Sequence, residues 1–137
     1  GDILFNRTNS KDLVGKTAVF REDKPYIFAG YLVRSKVNAL AEPEYISSFL
    51  NSKYGKTVLR YMCKSIVGMA NINAKEYQSI KILIPPISQQ QKYALIVKKC
   101  ERDLVDYKQS LSRSEDLFSS LTQQAFKGQL SKQAEAA

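Results

Sequence analysis

The sequence predicts an α+β chain: a small, mainly β globular part with short helices, followed by one long C-terminal α-helix that pairs as an antiparallel coiled coil. Three observations predict it. Tyr93, Val97, Cys100, Leu104, Tyr107, Leu111, Ser114, Phe118, Leu121 and Ala125 recur at alternating spacings of four and three residues, with Ser114 the one polar member. That is the a/d repeat of a coiled coil. The repeat is also bounded by stop signals. The helix-excluding pair Pro85-Pro86 precedes Ser88-Gln89-Gln90-Gln91, which reads as a capping box, and Lys127-Gly128 supplies a cation and a left-handed cap at the far end. Finally, the residues before Pro85 hold several short β-prone runs separated by turn formers. Residues 1–87 are therefore expected to be globular, 88–128 to be the helix and 129–137 a frayed tail. At ~1.5 Å per residue the helix is roughly 58 Å long, more than the small globular part can cover, so a partner helix is implied.

Within the globular part, the run Gly1-Asp2-Ile3-Leu4-Phe5 is strand-like, starts without methionine and looks cut from something longer. Asn6 to Asp12 is rich in turn formers and is expected to be an exposed loop. Lys16 to Phe20 is β-prone, Arg21 to Pro25 is a charged turn, and residues 26–34 carry the strongest strand signal, broken by a possible bulge at Ala29-Gly30. A hairpin of these two runs is the economical expectation. Pro43 then opens a short helix ending near Asn51, because Tyr45, Ile46, Phe49 and Leu50 follow at helical spacing. Val58, Leu59 and Met62 predict a second helix to about Lys64. Residues 68–73 lack helical periodicity and read as an ordered loop held by Asn71 and Asn73. Ile80, Ile82 and Ile84 alternate as a strand leading to the two prolines.

The chain has 137 residues and a net charge of +8. Residues 1–87 carry thirteen cations against seven anions, or +6, and the remainder eight against six, or +2. The basic excess thus lies in the globular part, where it favours a phosphate-bearing partner over a merely soluble basic surface. Two unpaired cysteines, Cys63 and Cys100, and the absence of histidine point to a reduced, cytoplasmic protein with no zinc site and no histidine-based catalysis. No apolar run is long enough to span a membrane, and no signal peptide is recognisable.

Enzyme signatures are missing. No phosphate-binding glycine loop, dinucleotide fingerprint or metal-ligand cluster stands out, so no cofactor and no metal is expected. The acid pairs Asp103 with Asp106 and Glu115 with Asp116 flank the helix seam and read as a solvated or ion-paired face. Cys100 is a small filler of the seam.

Candidate DNA-contacting cations are Arg7, Lys11, Lys16, Arg21, Lys24, Arg34 and Lys36, since loops on a rigid sheet can follow a duplex backbone. Lys53, Lys56, Arg60 and Lys64 form a second basic row; such a row is usually only a solvated face, with phosphate contact as the sharper alternative. Phe5, Phe20, Tyr26, Phe28 and Tyr31 lie among the cations. Aromatics so placed stack bases in some proteins, but in strands they more often pack a core.

Several short motifs, taken in order, carry a family resemblance. Gly1-Asp2-Ile3-Leu4 is followed by Arg7, Asn9-Ser10, Gly15-Lys16, Leu50-Asn51-Ser52, Gly68 with Ala70-Asn71-Ile72, Ile84-Pro85-Pro86-Ile87, Gln90-Gln91, and a heptad helix ending Ala125-Phe126-Lys127-Gly128-Gln129-Leu130. This series resembles the specificity subunit of type I restriction-modification enzymes over nearly the whole chain. The resemblance implies part of a target-recognition domain in residues 1–87 and its spacer helix in 88–128. It also implies double-stranded DNA and a methyltransferase subunit as direct partners, with a restriction subunit joined indirectly. Two departures stand out: Gln89 occupies a place where the family commonly has an acid, and the several dozen residues that usually precede the Gly1-Asp2 motif are missing.

The seam itself favours an antiparallel homodimer centred near residue 109. The layers are then Tyr93 with Ala125, Val97 with Leu121, Cys100 with Phe118, Leu104 with Ser114 and Tyr107 with Leu111, several of them large against small. The leading expectation is a non-catalytic DNA-recognition and assembly module. Its alternative is a coiled-coil interaction protein that no longer reads specific DNA.

Overall fold

Ile3 and Phe5 alternate with Leu4 and Asn6, and that period of two turns one face of the first strand into the core. In the computed structural model, which describes residues 1–66 and 68–129, ten elements follow one another. They are β1 (Ile3–Asn6), β2 (Thr8–Asn9), β3 (Thr17–Val19), β4 (Leu32–Ser35), α1 (Pro43–Asn51), α2 (Lys53–Met62), β5 (Lys64–Ile66), β6 (Met69–Asn71), α3 (Ala74–Gln78) and α4 (Ile87–Phe126). The chain is α+β and ends in one long helix, as expected. It divides into two units, Gly1–Ile96 and Val97–Ala137.

In the first unit, β1 lies between β3 and β4 and is antiparallel to both, with Phe5 opposite Thr17 and Val33. The expected hairpin between the runs around Thr17 and Leu32 does not form, because the more apolar β1 takes the middle place and separates them. β3 is instead completed on its other side by a side chain: the Asn51 amide accepts from Thr17 N–H at 3.1 Å and donates to Thr17 C=O at 2.6 Å. A second sheet has the order β2-β6-β5, all antiparallel. Thr8 and Asn9 therefore form a strand within the segment expected to be loop, and residues 69–71 form a strand where an ordered loop was expected. β2 acquires its ladder bonds from β6, far along the chain, a tertiary pairing that local sequence does not encode, while β6 pairs with β5 as well.

The core of this unit is built from Ile3, Phe5, Val14, Ile46, Leu50, Leu59, Ala70 and Ile72. α1 keeps the predicted bounds, opening at Pro43 and closing at Asn51. α2 follows after Ser52, whose hydroxyl accepts from Gly55 N–H at 3.0 Å. Gly55 lies so close to the backbone of Phe49 and Leu50 that a Cβ there has no room, which is how two helices separated by one residue can fold back on each other. Residues 26–31 are not a strand. Tyr26, Ile27, Phe28 and Tyr31 are exposed, and in place of a bulge at Ala29-Gly30 there is a turn centred on Gly30-Tyr31, with Leu32 N–H donating to Ala29 C=O. Ile80 to Ile84 is extended but joins no ladder. Its alternation reflects Ile80 and Ile82 packing on the core edge.

α4 begins at Ile87, one residue before the expected cap, so Ser88 and Gln91 do not form a capping box. Gln90, fully buried, reaches out of the helix instead. Its Nε2 donates to Leu40 C=O at 3.0 Å and Pro85 C=O at 2.7 Å, and its Oε1 accepts from Glu42 N–H at 3.0 Å. The connection before α1 and the proline segment before α4 are thereby tied to the first turn of the helix. Ala94 is buried beside it, and the Tyr93 ring meets Tyr45 edge-on at 6.0 Å.

The second unit is the rest of α4 and its end. Gly128 has a φ of 65°, Gln129 N–H donates to Gln124 C=O, and Gly128 N–H donates to Ala125 C=O. This pair of bonds is a Schellman motif, the left-handed stop predicted from Lys127-Gly128. The expected frayed tail lies, from residue 130 onward, outside the described residues. Along this unit Leu104, Tyr107, Leu111, Phe118 and Leu121 are exposed, as are Cys100, Ser114 and Ala125, whereas Val97 is half-buried.

Candidate nucleic-acid interface

The basic residues of the first unit separate into neutralised and unneutralised groups. Arg21, in the turn after β3, forks onto Glu44 with Nε and Nη2 at 2.8–3.0 Å. Glu44 sits in the first turn of α1 and is almost wholly buried, so this pair fastens the turn to the helix. Arg34 Nε contacts Asp2 Oδ2 at 2.7 Å across the β4–β1 ladder. Lys64 pairs with Glu76 at 3.1 Å. Glu76 also closes a capping box with Asn73 at the start of α3, and the Asn73 backbone, then Lys64, hold its carboxyl below the usual range.

Lys11, Lys16, Lys24 and Lys36 are exposed and have no carboxylate within ion-pair distance among the described residues. Arg7 is half-buried where the chain passes from β1 to β2; its backbone bonds Tyr31 C=O and Ile72 N–H, while its Nε has no acceptor. Lys56 is in the same condition. Its Nζ is buried without a hydrogen-bond partner, and burial first, then the charges of Lys16 and Arg60, lower its pKa. Arg60, one turn further along α2, reaches Asp12 at 3.5 Å. Of the seven cations selected from sequence, Arg21 and Arg34 are thus committed to carboxylates and the other five are not. The cluster of Lys16 with Lys56 and Arg60 depends on the 10–16 loop packing against α2, through Gly15 on Leu59, and only the i, i+4 spacing of Lys56 and Arg60 was visible in sequence.

The aromatic residues divide as well. Phe5 is entirely buried, a core residue, in contact with Tyr77 at 4.4 Å between ring centroids. Tyr26, Phe28 and Tyr31 are exposed and, with Phe20, Leu4, Asp2 and Arg34, line an open cleft of about 570 Å³. Among the described residues there is no group of three or more His, Cys, Asp or Glu side chains arranged to hold a metal ion. Nor, among them, is any helix long and apolar enough to cross a membrane.

The sequence that folds into this mixed β unit and long helix is similar to those of two type I restriction enzyme specificity subunits. The chain is 31% identical over 100 residues to a protein of Methanocaldococcus jannaschii named "Putative type I restriction enzyme MjaX specificity subunit", covering 71% of this chain and 23% of that protein. It is 29% identical over 143 aligned positions to the type I restriction enzyme EcoKI specificity subunit of Escherichia coli K12, covering 97% of this chain and 30% of that protein. The chain is therefore homologous to specificity subunits of type I restriction enzymes and spans less than a third of either relative. No protein-family profile matches it.

Proposed function

We propose that this chain is a DNA-recognition and assembly module of a type I restriction-modification system, without catalysis of its own, acting in the cytoplasm. In this reading residues 1–87 are part of a target-recognition domain and 88–128 its spacer helix. The module holds methyltransferase subunits on a bipartite duplex site, and the restriction subunit joins through them. The observation that carries the reading is the likeness to the EcoKI specificity subunit across 97% of the chain, through both the β unit and the helix. Arg7, Lys11, Lys16, Lys24 and Lys36 contact phosphates, while Arg21 and Arg34, already paired, brace the surface. Tyr26, Phe28 and Tyr31 offer apolar contact to the nucleic acid.

The exposed seam of α4 pairs two copies antiparallel, so that a homodimer presents two recognition units. Labelled duplex titrated at two salt concentrations tests the DNA part: binding is expected to weaken steeply with salt. Co-purification with a cognate methyltransferase subunit tests assembly. A chain that dimerises and retains neither DNA nor methyltransferase would be a coiled-coil interaction protein instead, and the proposal would be wrong.

A further inference from the structure

We propose that Lys16, Lys56 and Arg60 form a built site for a phosphate oxyanion where the 10–16 loop meets helix α2. The site is assembled by three features. Gly15, at a φ of 73°, brings its backbone against Leu59 of α2, and Arg60, the next residue along that helix, reaches Asp12 in the same loop at 3.5 Å. Next to it, the two hydrogen bonds between Thr17 and Asn51 fix the chain just after Lys16 to the residue that ends α1, two positions before α2 begins. Lys56 and Arg60 then lie one helical turn apart on α2.

What this assembly lacks is an acceptor. Lys56 Nζ is buried and donates to nothing, although an ammonium carries three donors and its burial without a partner is costly. Its neighbours Lys16 and Arg60 repel it, and burial together with those two charges lowers its pKa, as expected of a cation in a positive surround. The carboxylate nearest the cluster, Asp12, meets Arg60 at 3.5 Å with both side chains mostly exposed, a pair that a stronger acceptor readily displaces. A tetrahedral oxyanion resolves all of this together: it accepts from Lys56, offsets the mutual repulsion of three cations, and presents oxygens to the guanidinium of Arg60. In the function proposed above the oxyanion is a backbone phosphodiester of duplex DNA, and to that extent the inference rests on that reading; free phosphate offers the same chemistry.

The test measures the melting temperature of the purified chain in sodium phosphate and in sodium chloride at matched ionic strength. At phosphate about tenfold above its Kd, the wild-type folding equilibrium gains about elevenfold. Lys56→Met is expected to be at least as stable as wild type in chloride, because it removes an unpaired buried charge, and to gain nothing from phosphate. Arg60→Gln alters a mostly exposed side chain and guards against misfolding; it should lose most of the gain. No phosphate-specific gain in the wild type, or an equal gain in both variants, overturns the site. Duplex titrations of the same proteins identify the source of the anion. If it is the DNA backbone, the salt slope of Lys56→Met falls by about 0.9 relative to wild type. An unchanged slope with the phosphate gain intact in wild type supports a site for free phosphate. A wild-type chain that gains from phosphate but binds no duplex keeps the site and refutes the DNA reading alone.

Discussion

Replacing Gln90 by leucine removes the amide that fastens the first turn of α4 within the first unit. The side chain is fully buried and makes three hydrogen bonds, to Glu42 N–H, Leu40 C=O and Pro85 C=O. Each net bond is worth about 1 kcal/mol, and a buried group left without its partner costs about 1–3 kcal/mol. Leucine recovers part of this through apolar burial, so the expected loss is about 2–4 kcal/mol. For a domain of this size that lowers Tm by about 8–30 °C. Urea unfolding followed by circular dichroism measures it, with the midpoint shifting at constant slope. Gln90→Glu sharpens the test. It keeps an acceptor for Glu42 N–H but turns a carboxylate toward two carbonyls, so its folded-state pKa rises above the unfolded value. Its stability deficit should then be smallest below the ordinary carboxylate range, grow as pH rises from there to the folded pKa, and be complete above it. A Gln90→Leu protein within about 0.5 kcal/mol of wild type would refute the reasoning, since that is the scatter of an inconsequential surface change.

Further outcomes are expected. Gly15→Ala should cost about 2 kcal/mol or more in chemical denaturation, because the residue has a positive φ and a Cβ would lie 2.5 Å from Leu59 Cδ1. Arg21→Ala should cost about 1–3 kcal/mol by the same measurement, since it strands the buried carboxylate of Glu44. Carbon-detected NMR titration should place the Glu76 carboxyl below 4.5; the support it gives α3 is present above its unfolded pKa and fades as pH falls through the depressed folded value. In a Cys63→Ser background, oxidation should leave the two Cys100 thiols unbridged, whereas a second copy carrying Phe118→Cys should crosslink to Cys100. Ready bridging between the two Cys100 residues would exclude the antiparallel register.

Elements whose signals are local were legible in the sequence. Pro43 opens α1 and Gly128 ends α4 with a left-handed residue, each depending on neighbours within a few positions, whereas the Ser52 cap of α2 is a local signal that the reading of the sequence passed over. α3 was overlooked although Asn73 and Glu76 display the spacing of a capping box, because its five residues carry too short a pattern. Period-two apolarity misled at Ile80–Ile84 and at residues 26–31. In the first, alternation records one-sided packing of an extended segment; in the second, the apolar side chains face solvent. β2 and β6 are so short that only their pairing defines them. The candidate interface was legible as a list of cations but not as a surface. Which cations keep their charge for a ligand depends on where Asp2 and Glu44 lie in space, and the approach of Lys16 to Lys56 depends on how a loop rests on a helix.

The strand order has a kinetic side. Thr8 of β2 bonds to Asn71 of β6, 63 residues later, while β1 waits for both β3 and β4. During synthesis at about 5–20 residues per second, β2 leaves the ribosome roughly 3–13 s before its partner exists. In that interval the first sheet can assemble around β1, and Arg7, already bonded to Tyr31 C=O, holds the start of β2 at a fixed point. The second sheet then closes by docking onto an anchored end instead of searching with a free one, so lengthening the intervening segment should slow its closure only weakly: doubling a flexible loop adds just ~0.6 kcal/mol to the entropy of joining its ends.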